Sequence, residues 1–306
     1  MDFERYIPEL YEGCGVSSFI FHKGVSLMRD SVTSDKKARF AYVRDSIADG
    51  SLDDFKMDIL TCVYRFSFMN TFLIEKALGS RTEGRNLSNA ISYLVDHGFL
   101  KKLYGNYGSS TTKYFYSVDK GVAEYLRIRG GIESSIYRER IDIAYNYLSR
   151  NQFALAAESS PLFIESTLHT KLMLKKQGKE LDLGYSAVMK GRRLKIRLVA
   201  IPVRRFPFWW EESVQRVRLA LCLATRKKTV SIPVCICEDY EHMQDMASLL
   251  EGNEKTAGRE VLYCMDAGTV SWDIGDNLFE TKSVIRLKGP DGRERLAAKL
   301  EKVRLN

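Results

Sequence analysis

Several residue types on which common protein classes depend are scarce in this sequence. Its 306 residues include six scattered cysteines, which excludes the dense disulfide framework of a small secreted domain. No stretch approaches the roughly 20 apolar residues that a membrane-spanning helix needs. The N-terminus carries acidic residues and lacks the apolar segment of a secretory signal. These absences predict a protein of the reducing cytoplasm.

Motifs of the common catalytic classes are absent as well. The four histidines form no H-E-x-x-H, and there is no G-x-S-x-G and no glycine-rich phosphate loop. Cys235-x-Cys237 lies in an apolar run without a second ligand pair, which favours buried side chains over a zinc site. His97 is predicted at a helix C-terminus, and His169 and His242 at the surface of helical stretches. We therefore expect no enzyme activity, no metal and no cofactor.

The residues that are present describe a folded chain with a positive bias. Hydrophobic residues make up 45% and charged residues 28%, which is ordinary globular usage. Lys and Arg number 47 against 39 for Asp and Glu, a net charge of +8. This bias favours polyanions as partners.

Periodicity divides the chain into three regions. Residues 1–50 are an N-terminal extension of mixed pattern, and residues 51–130 read as three short helices, a hairpin and a further helix. Gly130-Gly131 breaks that pattern, and residues 131–306 begin with a helical connector and continue as strands alternating with helices. The predicted fold class is an α+β winged helix-turn-helix domain followed by an α/β domain. The last segment, Arg293 to Arg304, is predicted as a basic helix.

Capping residues define the three helices of the second region. Asp54 is predicted to cap the first helix, and Asn70 the second, which ends at Gly79. The spacing Ser80-x-x-Glu83 predicts a capping box that opens the third helix, with Gly98 just past its end. A tight turn between the second and third helices follows from these boundaries.

The third helix has two contrasting faces. Its apolar stripe consists of Leu87, Ala90, Ile91, Leu94 and Val95. The opposite face carries Arg85, Ser88, Asn89 and Ser92. Arg can pair with guanine and Asn with adenine, while Ser allows a close approach, so this face suits a DNA major groove. The alternative is an ordinary solvated helix face.

A predicted hairpin then favours DNA over that alternative. Strands at Phe99–Tyr104 and Thr112–Val118 flank a loop rich in Gly, Asn and Ser. Three helices followed by a basic hairpin are the order of a winged helix-turn-helix, whose wing contacts phosphates or the minor groove. The predicted contacts to double-stranded DNA are Arg81, Arg85, Asn86, Ser88, Asn89, Ser92, Lys101, Lys102, Asn106 and Lys113. A homodimer is expected, because one winged helix reads few base pairs and helices at 122–129 and 133–149 could pair.

The third region resembles a nuclease core that has lost its metal ligands. Asp182 opens a predicted strand, and Lys195-x-Arg197 lies on the next one, where restriction-endonuclease-like enzymes have an acid-x-Lys pair. A lysine in place of the carboxylate repels a divalent cation. The alternative is that Glu165 or Glu180 supplies the second acid.

Residues 190–228 are the most basic part of the chain, with twelve Lys or Arg and two acids. The aromatic run Phe206 to Trp210 within it fits core packing better than base contact. A possible second basic surface consists of Arg193, Lys195, Arg197, Arg204 and Arg205. It could extend a DNA track or meet an acidic protein.

Together these segments resemble the replication-relaxation family of bacterial plasmids and mobile elements. The resemblance rests on Phe55 to Gly79, Arg85 to Leu100, the hairpin to Tyr116, Asp182 with Leu194 to Val203, and Val230 to Asp239. It implies a DNA-binding role in replication, transfer or transcriptional control of such an element. The alternatives are a metal-dependent nuclease and an assembly module with a vestigial winged helix.

Overall fold

The structure is a computed structural model of the 306-residue chain. It describes residues 26–29, 40–106, 113–132, 144–174, 179–203, 207–223, 229–237, 240–266, 274, 277–288, 294–303 and 305. These residues form two compact units, one within 21–151 and the other within 152–306. In the described part of the chain, no helix is both long enough and apolar enough to cross a bilayer.

The described part of the unit within 21–151 combines five α-helices with a small antiparallel sheet. In chain order its elements are β1 (Ser26–Arg29), α1 (Phe40–Ala48), α2 (Asp54–Phe66), α3 (Thr71–Leu78), a short 3-10 helix (Gly79–Thr82), α4 (Leu87–Asp96), β2 (Leu100–Asn106), β3 (Lys113–Val118) and α5 (Lys120–Gly130). The sheet has the order β1-β2-β3. Strand β1 and helix α1 thus bring part of residues 1–50 into the same unit as residues 51–130. A further helix, α6 (Ala144–Glu158), crosses from this unit into the next.

Polar side chains at the helix starts decide where α2, α3 and α4 begin. Asn70 caps α3 as predicted, since its side chain accepts a 2.8 Å hydrogen bond from the Leu73 N–H. The cap of α2 is Asp53, not Asp54, because Asp53 accepts from the Lys56 N–H at 2.9 Å. Asn86 caps α4 through the Asn89 N–H. The capping box predicted at Ser80 is therefore wrong, and residues 79–82 form the 3-10 turn instead.

A single bridge connects the link between α2 and α3 to the hairpin. Met69 and Tyr116 exchange two backbone hydrogen bonds of 3.1 and 2.7 Å, so Met69 acts as a one-residue strand beside β3. Around this bridge Phe68, Leu73 and Phe115 are almost fully buried. The bridge thereby holds the link between α2 and α3 against the sheet.

The unit within 152–306 is built on a large mixed sheet. Its elements are β4 (Phe163–Thr167), β5 (Lys171–Leu174), β6 (Lys179–Asp182), β7 (Ser186–Lys190), β8 (Lys195–Pro202), α7 (Pro207–Leu221), β9 (Thr229–Cys237), α8 (Tyr240–Glu251), β10 (Leu262–Met265), β11 (Leu278–Lys288) and β12 (Glu294–Val303). Seven strands form one sheet in the order β12-β11-β10-β9-β8-β7-β4, and β5 pairs with β6 separately. Strands β8, β9 and β10 are parallel, and the remaining neighbours are antiparallel.

Helices α7 and α8 cover one face of this sheet and form its core. Val199 and Ile201 of β8 pack there with Val217 of α7 and Met243 and Met246 of α8. Cys235 and Cys237 are buried, as predicted for a structural rather than a metal-binding pair. Burial raises the pKa of the Cys235 thiol well above its ordinary value, which keeps the thiol protonated.

Three predictions in this unit are wrong. Residues 294–303 form strand β12, not a helix, because they pair along β11 while Ala298 and Leu300 point into the core. His242 is fully buried in α8 rather than exposed. His169 lies between strands β4 and β5, outside any helix.

Candidate nucleic-acid interface

Helix α4 presents a short-chain polar face to solvent. Ala90, Ile91 and Leu94 are buried against the unit, and Leu87 and Val95 are half-buried. On the opposite side the exposed residues are Ser88, Asn89, Ser92 and Asp96. The first three were predicted there, and the structure brings them together as neighbours on one face. Asp96 is a carboxylate that would repel phosphates, so the N-terminal half of α4 is the part suited to a polyanion.

Two exposed arginines lie just before this helix. Arg85 precedes α4 rather than belonging to it, and its guanidinium lies 4.9 Å from the centre of the Phe55 ring. Arg81 donates to Asp58 at 2.9 Å, and its side chain is 64% exposed. Such an exposed ion pair contributes at most about 1 kcal/mol, so a phosphate can take the place of Asp58 at little cost.

The remaining polar residue at the start of the helix has a structural role. The Asn86 side chain accepts the Asn89 N–H at 3.0 Å as the N-cap. That bond engages its carbonyl oxygen and leaves its two amide hydrogens to donate outward. We infer that Asn86 positions α4 and that Asn89, one turn further along, is the amide better placed to meet a base.

The two lysines of β2, Lys101 and Lys102, point to opposite faces of that strand, as adjacent residues of a strand must. Lys101 shares a face with buried Leu103; its side chain is 12% exposed and lies 3.9 Å from Asp119. Lys102 lies on the other face, with its ammonium 3.8 Å from the centre of the Tyr114 ring. Both residues are half-buried overall; the Lys101 ammonium lies near a carboxylate, whereas the Lys102 ammonium contacts, among the described residues, only an aromatic ring. The side chains of Asn106 and Lys113 lie outside the described residues.

Aromatic contacts hold the C-terminal end of α4. The Tyr93 and His97 rings stack with centres 3.9 Å apart, and the Lys56 ammonium lies 4.7 Å from the Tyr93 ring centre. His97 Nδ1 also lies 2.9 Å from the Tyr93 carbonyl oxygen. His97 is the C-cap of this helix, as predicted. The Tyr93–His97 contacts stabilise the end of α4, and the Lys56–Tyr93 contact connects it to α2.

The predicted second basic surface divides between described and undescribed residues. Arg193 and Lys195 are exposed at the turn between β7 and β8, and Arg197 is half-buried further along β8. Arg204 and Arg205 lie outside the described residues. Two further cations of that turn, Lys190 and Arg192, are also exposed, and the density of basic residues from 190 onwards is the sequence signal that points to them.

Two of the three acids considered as metal ligands, Asp182 and Glu180, have partners elsewhere, and the third, Glu165, is exposed on β4. Asp182 lies in β6, where its two oxygens contact His169 Nδ1 at 2.6 Å and the Gly184 N–H at 2.8 Å. Glu180 pairs with Lys171 at 2.9 Å. Lys195 lies opposite Lys190 of β7, so it is not on a strand adjacent to Asp182. Within the described part of the chain, no three His, Cys, Asp or Glu side chains are grouped to hold a metal ion.

Comparisons with known proteins provide little guidance. No family model and no curated protein matches the chain. A solved structure, the crystal structure of protein VC1899 from Vibrio cholerae, aligns with 85% of this chain and 59% of its own at 9% identity. The TM-score of that alignment is 0.28, which does not show a shared fold. The chain spans about three fifths of that protein.

Proposed function

We propose that this protein binds double-stranded DNA through the unit within 21–151, with α4 as the recognition helix. The observation that carries the proposal is the exposed face of α4, where Ser88, Asn89 and Ser92 form a short-chain polar surface. Major-groove readers need this kind of surface, because long side chains would keep the helix backbone away from the bases. The expected partner is a duplex with a preferred sequence.

The order of elements around α4 supports a winged-helix assignment. Helix α2, the one-residue strand at Met69, helices α3 and α4, and the hairpin β2–β3 follow one another in the chain. In a winged helix-turn-helix the third helix enters the major groove and the hairpin contacts the backbone or minor groove. The corresponding parts here are α4 and the hairpin that carries Lys102.

Roles can be assigned to the surrounding side chains by reach and charge. Asn89 can form two hydrogen bonds to the edge of an adenine. Ser88 and Ser92 allow a close approach to either DNA strand. Arg81, Arg85 and Lys102 are the phosphate contacts, since all three lie at the margin of the α4 face or on the hairpin. Lys101 is left out of this group because its side chain is largely buried against Asp119.

Selection from a random duplex pool with the full chain tests the proposal. We expect a preferred site, and Asn89→Ala should weaken binding to that site by about 5- to 150-fold, which corresponds to the 1–3 kcal/mol of one two-point base contact. Ser92→Glu should abolish site-specific binding, because it places a carboxylate against the groove. The measurement is fluorescence anisotropy with the selected duplex and a scrambled one.

A matched variant separates the α4 face from the overall charge. Ala41→Glu adds the same charge to α1 of the same unit, at an exposed position outside the helices assigned to dimer pairing. It should leave site-specific binding within about twofold of the parent. Equal losses in Ser92→Glu and Ala41→Glu would show that only net charge matters, and a pool without a preferred site would refute sequence-specific recognition.

For the second unit we propose a restriction-endonuclease-like scaffold without catalysis. Strands β4, β7 and β8 form an antiparallel meander, helix α7 follows, and β9 returns parallel to β8. Ser186, at the start of β7, lies opposite Val199 of β8, and residues 198–201 of β8 are buried apolar side chains. A divalent cation needs oxygen ligands, which these positions do not supply. Plasmid incubated with the protein and Mg²⁺ or Mn²⁺ should remain intact, and nicking that disappears in Asp182→Ala would contradict this part.

The biological process follows from the family resemblance alone. We propose that the bound site belongs to a mobile element and that the protein acts in its replication, transfer or transcription. The selected sequence tests this directly, since it can be searched for in the DNA around the gene. The spacing of half-sites in the same selection would also show whether the protein binds as a dimer.

A further inference from the structure

The turn between β7 and β8 concentrates positive charge outside the proposed winged helix. Residues 190–195 read Lys-Gly-Arg-Arg-Leu-Lys, and all four of their cationic side chains are exposed. No acid interrupts the run. We call residues 190–195 the basic turn.

The backbone holds the basic turn in a defined shape. The Gly191 N–H donates to the Leu194 carbonyl at 3.2 Å, which closes the loop between the two strands. A Cβ atom at position 191 would lie 2.6 Å from that carbonyl oxygen, so the closure depends on glycine. Arg192 and Arg193 are thereby held at the tip, and less conformational entropy is lost when they bind a ligand.

The charges of the basic turn have no ion-pair partner among the residues that the structure describes. Lys190 lies directly opposite Lys195 in the β7–β8 ladder, an arrangement that destabilises a strand pair. Among the described residues, none of the four cations forms an ion pair. A repulsive pair held in a fixed turn is relieved when an anion binds beside it.

We infer that the basic turn binds the phosphate backbone of duplex DNA, as a sequence-independent contact separate from α4. A protein partner is less suited to it, because the centres of protein interfaces are poor in charge and rich in apolar side chains. Leu194, which is 44% exposed, is the one large apolar residue of the turn. Each phosphate that a lysine or arginine neutralises releases condensed counterions, and this release favours binding. Four exposed cations therefore fit a phosphate backbone.

The double variant Arg192→Ala/Arg193→Ala in the full chain tests this inference. Binding to a random-sequence duplex is measured by anisotropy between about 50 and 200 mM salt, and the slope of log Kobs against log salt is compared. Two lost phosphate contacts should reduce the steepness of that slope by about 1.8. An unchanged slope and affinity would overturn the inference, as would tighter binding of the parent chain to polyglutamate than to DNA.

The control removes equal charge from another exposed part of the same unit. Lys255→Ala/Arg259→Ala deletes one lysine and one arginine after α8, both exposed. It should leave the slope almost unchanged. Equal changes in both double variants would also overturn the inference, because net charge would then explain them.

A single substitution separates loss of binding from loss of folding. Lys195→Glu places a carboxylate opposite Lys190, so it should raise the midpoint of thermal unfolding while it weakens random-duplex binding. Weaker DNA binding combined with a lower midpoint of thermal unfolding would contradict this expectation. The variant Ser92→Glu keeps the two proposals distinguishable: if it leaves site selection intact while the arginine double variant flattens the slope, the α4 proposal fails and the basic turn stands.

Discussion

Asn151→Ala removes the side chain that ties α6 to the link between α2 and α3. The Asn151 amide nitrogen donates to the carbonyls of Phe66 at 2.8 Å and Phe68 at 2.7 Å, and the residue is 1% exposed. Ser67 lies between these carbonyls with φ of 67°, a left-handed conformation that costs energy in a non-glycine residue. The amide therefore stabilises a strained link directly before the Met69 bridge.

The size of the effect follows from the two hydrogen bonds. Each contributes about 1 kcal/mol net. The Phe66 carbonyl keeps a 2.9 Å hydrogen bond from the Phe68 N–H, so the additional cost, about 1–3 kcal/mol for a buried carbonyl that loses a donor, falls mainly on the Phe68 carbonyl. We expect Asn151→Ala to lower the free energy of unfolding of this unit by about 2–4 kcal/mol, which is roughly a 30- to 700-fold change in its folded-to-unfolded ratio.

Urea unfolding can assign the loss to the correct unit. The three tryptophans, Trp209, Trp210 and Trp272, all lie in the second unit, so their fluorescence reports that unit, while far-ultraviolet circular dichroism reports both. The dichroism transition should move to lower urea in Asn151→Ala. The matched control Asn89→Ala removes an exposed amide and should change stability by less than about 0.5 kcal/mol.

Asn151→Asp adds a pH-dependent check on the same reasoning. The carboxylate would face two carbonyl oxygens, and only the protonated form can donate a hydrogen bond to one of them, so the fold raises the pKa of this aspartate. The deficit relative to the parent should then grow as pH rises from about 4. A deficit that is constant with pH, or an Asn151→Ala transition that coincides with the parent's, would refute the assigned role of this amide.

Two further predictions concern the caps and turns. Burial alone would raise the pKa of Asp53, but hydrogen bonds from the Lys56 side chain and backbone outweigh it and hold that pKa below its ordinary value. The cap's contribution to the free energy of unfolding should therefore be present at neutral pH and decline below about pH 4. Asp53→Ala should cost about 1 kcal/mol at pH 7, and its free energy of unfolding should approach that of the parent in urea titrations at acid pH. Gly191→Ala should cost about 1–3 kcal/mol, because its Cβ would meet the Leu194 carbonyl at 2.6 Å, whereas Gly252→Ala, with its nearest neighbours at 3.4 Å, should be nearly neutral in the same assay.

The helices of the first unit show how far local signals reach. Asn70 and Gly79 bound α3 as predicted, because a cap and a glycine stop act within one turn of chain. The start of α4 was misplaced, since the Ser80-x-x-Glu83 spacing fits a capping box equally well and only the packed turn selects Asn86. Arg85 consequently lies beside the helix instead of on it.

Side-chain roles in the candidate interface depended more on tertiary contacts. The outward direction of Ser88, Asn89 and Ser92 follows from helical period, and the structure agrees with it. Lys101 and Lys102 look equivalent in the sequence, yet β2 turns the first towards Asp119 and the core and the second towards Tyr114. Strand register decided which partner each lysine meets, and register depends on residues remote in sequence.

The chain's composition and hydrophobic periods by themselves determined that it folds into helices followed by alternating strands and helices, with a short-chain polar face on the segment around Asn89. Those features depend on neighbours within a few residues. Only the tertiary structure decided that residues 294–303 form a strand, because an edge position beside β11 outweighed their helical propensity. It also placed Lys190 opposite Lys195, since the pairing of two strands is a property of the sheet and not of either segment.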